Sequence, residues 1–159
     1  MKIDIEKEPL SKEQLNQVIA HLKRAGYRLT PQRLAIVQAV LGSKAHPSAE
    51  DIYRQLSATF PMLSRATVYK ALEMLKEIGE VVELPVEGRS RYDGNTRPHI
   101  HLVCTKCPTM IDLPVDIPLA ISEEAAALGF RVHRYSLEIY GLCADCQAVA
   151  EEGRPDAVE

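Results

Sequence analysis

The sequence predicts an α+β protein with a helical first half and a second half of short strands around one helix. Hydroxyl residues precede four apolar segments of helical period before residue 79, whereas β-prone segments bounded by glycine and proline follow. All four cysteines lie beyond residue 100. The two halves therefore differ in composition as well as in hydrophobic period.

Four helices are predicted in the first half, each beginning after an N-cap hydroxyl group. Two of these caps have the spacing of capping boxes, Ser11 with Gln14 and Ser48 with Asp51. Pro31 follows Thr30 at the first position of the second helix. Glycines end the first and fourth helices, where a left-handed residue is favoured. The four predicted N-caps are Ser11, Thr30, Ser48 and Ser64.

The fourth helix and the segment after it indicate a winged helix, that is, a helix-turn-helix plus a β-wing. The segment 65–78 places apolar residues on one face and basic residues on others, as in a helix that enters the major groove of DNA. Strands are predicted at 80–85 and 90–93, joined across Glu87-Gly88. Periodicity alone leaves open a helical bundle whose last helix merely has a solvated face.

The second half is predicted to be a small α/β dimerisation domain. It contains strands at 99–104 and 110–113, a helix at 117–128 and a further strand within 131–143 that carries Tyr135, Leu137 and Ile139 on one face. So small a sheet has little core of its own, so we expect a homodimer. We divide the chain into a winged helix (1–93), a hinge (94–98), a metal-binding dimerisation domain (99–147) and a flexible tail (148–159).

Charge separates the two halves more sharply than the net value of −3 suggests. Residues 21–76 hold nine Lys or Arg against three Asp or Glu, which gives +6, whereas residues 77–159 hold seven against fifteen, which gives −8. A basic half joined to an acidic half is typical of a nucleic-acid reader attached to a regulatory domain. Chance variation in surface charge is the alternative.

The sequence predicts a cytoplasmic protein. It has no basic start followed by an apolar segment, and no apolar stretch approaches the roughly 20 residues that span a bilayer. Structural disulfides are rare in the cytoplasm. Paired cysteines there indicate metal binding or redox chemistry.

The cysteines form two CxxC pairs, Cys104 with Cys107 and Cys143 with Cys146. Four thiolates in this pattern suit a closed, tetrahedral, structural Zn²⁺ site that ties the last strand to the central one. Two unrelated pairs or a thioredoxin-like redox motif are the alternatives. Neither pair lies in the strand-then-helix context of that motif.

The histidines predict a second metal site. His99 and His101 point to the same side of a strand, opposite to Cys104, so they do not easily share its zinc. Asp93 and Asp112 are available as oxygen donors, and a mixed nitrogen and oxygen set favours Fe²⁺, Mn²⁺ or Zn²⁺. A packed or solvated histidine pair is the alternative.

Six motifs together resemble the ferric uptake regulator superfamily over about residues 11–147. In chain order they are YRLTPQRLAIV, HPSAEDIY, SRATVYKAL, SRYDGN, HIHLVCTKC and EIYGLCADC. The resemblance implies a dimeric, non-enzymatic winged-helix repressor that binds operator DNA. It also implies that the four cysteines hold structural zinc and that the regulatory ion is held by His46, Asp93, His99, His101 and Asp112. His46 enters only through this resemblance, since by itself it is a loop residue before proline.

The motifs are most similar to the peroxide-sensing branch, because Asp112 stands where iron-sensing members usually have glutamate. In that branch Fe²⁺ reacts with hydrogen peroxide, a ligand histidine is oxidised and DNA is released. The oxidisable residues by position would be His46 and His99. Metal held by both halves would favour a closed dimer that matches two half-sites, and Mn²⁺ could replace Fe²⁺.

The predicted DNA contacts lie mainly on the fourth helix. Arg65 and Tyr69 are candidates for base-edge or sugar contacts, and Lys70 and Arg28 for phosphate contacts. Thr67, on the same helix, completes the predicted set.

Two other functions stay open. One is an iron-, manganese- or zinc-responsive repressor of the same superfamily, which would not lose DNA binding irreversibly after peroxide. The other is a non-haem iron enzyme with His99, His101 and an acid as a facial triad. That enzyme would leave the basic fourth helix without a role.

Overall fold

The computed structural model describes residues 10–86, 88–97, 99–113, 120–133 and 136–152. The chain divides into two compact units, Met1–Thr96 and Arg97–Glu159. The division falls within the segment predicted as a hinge, of which Pro98 lies outside the described residues. No helix in the described part of the chain is long and apolar enough to cross a bilayer.

The first unit contains the four predicted helices: α1 (Lys12–Arg24), α2 (Pro31–Leu41), α3 (Ala49–Ser57) and α4 (Arg65–Glu77). All four predicted N-cap side chains accept a backbone hydrogen bond, and the Ser11 and Ser48 capping boxes are complete. Gly26 has φ +82° just after α1 and Gly79 has φ +76° just after α4. Local side-chain chemistry therefore sets the helix ends, as predicted.

The core of the first unit lies between α1, α2, α3 and α4. Leu22, Ile36, Ile52, Leu72 and Leu75 are fully buried there. Removing such side chains from water is the main favourable contribution to the stability of the unit. Tyr92, from the strand that follows, packs against the same cluster, so the core extends to the wing.

The wing is an antiparallel pair of strands, β1 (Val82–Val86) and β2 (Arg89–Asp93). The register pairs Val82 with Asp93 and Val86 with Arg89. Gly88 has φ +74° in the connection, where Glu87 lies outside the described residues. Four helices and this pair of strands make the first unit a winged helix, as predicted.

The described residues of the second unit form a three-stranded sheet with strand order β4-β3-β5, accompanied by two helices. The strands are β3 (Ile100–Cys104), β4 (Met110–Leu113) and β5 (Leu137–Gly141), and the helices are α5 (Ala120–Ala127) and α6 (Ala144–Glu152). β3 is antiparallel to β4 and parallel to β5. The predicted beginning of the α5 helix, at 117–119, and Tyr135 lie outside the described residues.

One prediction in this unit is wrong. Residues 148–152 were expected to belong to a flexible tail, but they are the second half of α6. The segment ADCQAVAEE consists largely of strong helix formers, and it begins immediately after Cys143. Residues 153–159 of the predicted tail lie outside the described residues.

Candidate metal centres

The four cysteines of the second unit meet at one place. The ends of β3 and β5 bring Cys104 and Cys143 together, and the turn after β3 and the first turn of α6 supply Cys107 and Cys146. Their sulfur atoms all lie within 4.8 Å of one another. All four are thiols rather than disulfides.

The electrostatics of this cluster favour a cation. The backbone N–H groups of Cys143 and Lys106 each lie 3.4 Å from Sγ of Cys104 and lower the pKa of that thiol to about 6. Hydrogen bonding to Cys143, and then to Cys107, raises the pKa of Cys146 to about 12. The crowded thiols therefore resist losing all four protons unless a positive charge joins them.

The donor set fits tetrahedral Zn²⁺. Zn–S bonds of about 2.3 Å place sulfur atoms roughly 3.8 Å apart at the corners of a tetrahedron. Sγ of Cys107 and Sγ of Cys143 are 3.6 Å apart. Four thiolates leave no open position, so this centre is suited to a structural role.

A second donor set in the same unit consists of His99, His101 and Asp112. The strand register places His101 directly opposite Asp112, and Asp112 Oδ1 lies 3.8 Å from Nε2 of His101 and 3.3 Å from Nε2 of His99. The two imidazole rings are 4.3 Å apart at an angle of 64°. Two nitrogens and a carboxylate at this spacing suit a first-row divalent ion.

The backbone orients His99 within this set. Nδ1 of His99 lies 2.7 Å from the carbonyl oxygen of Arg97, the geometry of a ring N–H donating to a carbonyl. In the neutral ring this leaves the lone pair on Nε2, the atom that faces Asp112. Metal-binding histidines are commonly oriented by such a bond from the other ring nitrogen.

The first unit contains a smaller donor set, His46 and Asp93. His46 lies in the connection between α2 and α3, and Asp93 is the last residue of β2. Nε2 of His46 is 3.7 Å from Oδ1 of Asp93, and the two residues are only 1% and 4% exposed. A divalent cation bound between them would stabilise this buried pair of an imidazole and a carboxylate.

The predicted DNA-binding residues all lie on the first unit, and two of them, Arg65 and Thr67, have side-chain partners within it. The Arg65 guanidinium donates to Glu50 at 2.8 and 3.0 Å and stacks 4.3 Å over the ring of Tyr53. The hydroxyl groups of Thr67 and the N-cap Ser64 are 2.8 Å apart. Tyr69, Lys70 and Arg28 are exposed.

The sequence did not reveal two features of these sites. The pairing of Arg65 with Glu50 joins α3 to α4 over fifteen residues, and no local pattern marks it. Arg91, in the middle of β2, donates to carbonyl groups of the loop that carries His46. The sequence gives no signal for this contact, because the acceptors lie 45 and 46 residues earlier in the chain.

The fold and the sites define this chain as a metal-binding winged-helix regulator. Its winged helix is followed by a unit with a four-thiol centre and a histidine-carboxylate set. The chain belongs to the Ferric uptake regulator family, whose family model matches residues 24–140. The peroxide-responsive repressor PerR of Staphylococcus epidermidis is 40% identical over 142 residues, covering 88% of this chain and 93% of that protein.

Solved structures of the family have the same fold. The ferric uptake regulator of Vibrio cholerae superposes with a TM-score of 0.66 at 34% identity, covering 80% of this chain and 98% of that one. A zinc uptake regulator in complex with zinc and DNA superposes with a TM-score of 0.63 at 25% identity, covering 91% and 99%.

Proposed function

We propose that this protein is a metal-dependent, DNA-binding transcriptional repressor that responds to hydrogen peroxide. The observation that carries the proposal is Asp112 facing both His99 and His101, in a chain 40% identical to a peroxide-responsive repressor. In the superfamily that the sequence resembles, aspartate at this position is typical of the peroxide-sensing branch, whereas iron-sensing members usually have glutamate. The protein would act as a homodimer on operator DNA in the cytoplasm, without enzymatic activity.

The donor chemistry supports two different ions. Cys104, Cys107, Cys143 and Cys146 would hold structural Zn²⁺. The mixed nitrogen and oxygen donors, His46, Asp93, His99, His101 and Asp112, would hold regulatory Fe²⁺ or Mn²⁺. Bound Fe²⁺ would activate peroxide for an oxidation in which a ligand histidine gives up two electrons, one peroxide oxygen stays on its ring and the other leaves as water.

The ligand residues are proposed to act as a switch because they come from both units. If His46 and Asp93 serve the same ion as His99, His101 and Asp112, the ion stabilises only arrangements in which both units bind it. Moving a population decisively between two arrangements takes on the order of 5 kcal/mol of differential binding. In the arrangement with metal, the two α4 helices of the dimer would match half-sites about 34–36 Å apart.

Oxidation of His46 or His99 would end this effect. His99 points Nε2 at Asp112 because its Nδ1 is held by the carbonyl group of Arg97. A ring that gains an oxygen atom loses a donor nitrogen, so the ion loses a ligand and the arrangement that binds DNA loses its stabilisation.

The first test compares His99→Ala with Cys143→Ser in protein prepared without oxygen. His99→Ala should retain zinc but lose Mn²⁺-activated binding to DNA, whereas Cys143→Ser should lose zinc itself. Wild-type protein loaded with Fe²⁺ and treated with peroxide should lose DNA binding irreversibly and gain roughly 16 Da, one oxygen atom, on a histidine-containing peptide. Full metal-activated binding by His99→Ala would contradict the assignment of the regulatory ligands.

The second test concerns the DNA-binding face. Lys70 is exposed on α4 and is proposed to contact phosphate, so Lys70→Ala should weaken binding to all sequences alike. The slope of log affinity against log salt concentration should decrease in magnitude by about 1. Arg131→Ala removes an exposed positive charge from the other unit; it is the control and should leave the slope unchanged.

A second candidate function is a repressor that responds to the level of a metal ion. The similarity to the zinc uptake regulator bound to zinc and DNA favours it. Such a repressor would recover full DNA binding when peroxide is removed and metal is restored, and its histidine peptides would keep their mass.

A further inference from the structure

The loop that carries His46 joins α2 to α3 in an unusual backbone conformation. His46 has φ +49°, in the left-handed region that residues other than glycine rarely adopt, and Pro47 follows it. The residue before a proline is itself biased towards extended conformations. Contacts from the surrounding fold must therefore hold His46 in this conformation.

Arg91, the middle residue of β2, supplies two of these contacts. Its Nη2 donates to the carbonyl oxygen of Ala45 at 2.8 Å, and its Nε donates to the carbonyl oxygen of His46. A guanidinium group presents several N–H donors in one rigid plane. One side chain therefore fixes two consecutive peptide groups, on either side of the His46 α-carbon.

The neighbouring residues complete a continuous connection between β2 and the loop. The backbone N–H of Tyr92 donates to the carbonyl oxygen of Pro47 at 3.0 Å, so three successive carbonyl groups of the loop are bound by two successive residues of β2. Arg91 is only partly exposed, as expected for a guanidinium enclosed against the loop. The next residue of β2 after Tyr92 is Asp93, the partner of the His46 ring.

We propose that Arg91 is a positioning residue of the regulatory metal site. It holds His46 in the left-handed conformation and so keeps the imidazole beside Asp93, without contacting the ion itself. This inference deepens the proposed function and rests on it, because it requires His46 to be a metal ligand. It also gives an arginine of the wing strand a role separate from DNA binding.

The test measures Mn²⁺ affinity by calorimetric titration of the full chain, loaded with zinc and free of DNA. Arg91→Gln removes the two-sided contact, and it should lower Mn²⁺ affinity 10- to 100-fold, as removal of residues that orient metal ligands commonly does. Arg91→Lys keeps the charge but offers one point donor, so its affinity should fall between those of Arg91→Gln and wild type. Arg89→Gln removes an exposed arginine from the same strand and should leave the affinity unchanged.

Two readouts separate positioning from a general effect on folding. Zinc content and the midpoint of thermal unfolding should stay close to wild type in Arg91→Lys while Mn²⁺ affinity falls. In the wild-type protein without Mn²⁺, the Nε–H proton of Arg91 should exchange with solvent at least tenfold more slowly than that of Arg89, as measured by NMR. This second measurement needs no variant at position 91.

The outcomes distinguish this inference from the proposed function. Wild-type Mn²⁺ affinity in Arg91→Gln, with loss of affinity in His46→Ala, overturns the role of Arg91 and leaves the proposed function intact. Wild-type affinity in His46→Ala overturns both. If Arg91→Gln fails to fold, Arg91→Lys and the proton exchange decide: unchanged affinity in Arg91→Lys, or equally fast exchange at Arg91 and Arg89, overturns the inference.

Discussion

At the scale of single residues, the region around His46 and Asp93 is held by unusually close contacts. His46 adopts a backbone conformation that costs an ordinary residue about 1–2 kcal/mol. Gly94, directly after Asp93, lies so close to the end of α2 that a Cβ atom there would be 2.9 Å from Cα of Leu41. The first feature positions His46, and the second positions the chain directly after Asp93.

Gly94→Ala should destabilise the protein, because the added methyl group meets backbone that has no free space to move into. We expect the free energy of unfolding to fall by about 1–3 kcal/mol, the usual effect of overpacking, measured by chemical denaturation. Gly141→Ala is the control, since nothing lies within 4 Å of the Cβ position at Gly141. Equal stability of the two variants would contradict the close approach of Gly94 to Leu41.

At the scale of elements, the wing is fastened to α4 by a polar network. Lys76 of α4 donates to Glu73 at 2.8 Å and also to Glu83 of β1, while the hydroxyl group of Ser90 on β2 donates to the other oxygen of Glu83. The Lys76 ammonium, and then the Ser90 hydroxyl, lower the pKa of Glu83. The carboxylate thereby connects α4 with both strands of the wing.

This connection should be sensitive to acid, and Glu83→Gln tests it. Glu83 ionises more easily in the folded chain, so its contribution is complete above the unfolded pKa of about 4.3 and is lost as pH falls through the lower folded value. Wild type should therefore be more stable than Glu83→Gln by up to about 1 kcal/mol near neutral pH, with the difference shrinking below about pH 4. Thermal unfolding of both proteins at each pH measures this, and a difference that does not vary with pH would refute it.

At the scale of the whole molecule, the sheet of the second unit leaves an apolar row uncovered. The register aligns Ile111 of β4, Leu102 of β3 and Ile139 of β5 across one face. Ile111 is 50% exposed and Ile139 is 46% exposed. A row of this kind on a small sheet is typical of a surface that associates with another chain, which supports the proposed homodimer.

Ile139→Asp should weaken that dimer, because it places a charge within the apolar row. Light scattering coupled to gel filtration should give about twice the chain mass of 17.7 kDa for wild type and a mass close to one chain for the variant. Gln17→Asp adds the same charge to an exposed position on α1 and should remain dimeric. A dimeric Ile139→Asp would show that the row is not the interface.

The sequence by itself determined the helix ends, the wing and the two CxxC pairs, because each depends on residues close together in the chain. Ser48 finds Asp51 within one helical turn, and each CxxC pair is one local turn. Only the tertiary structure decided how His46 is held and what Arg65 and Arg91 contact, since those partners are 15 to 46 residues distant in the chain. Hydrophobic periodicity reports which face of an element is buried, but it does not report which polar group of a distant loop lies opposite that face.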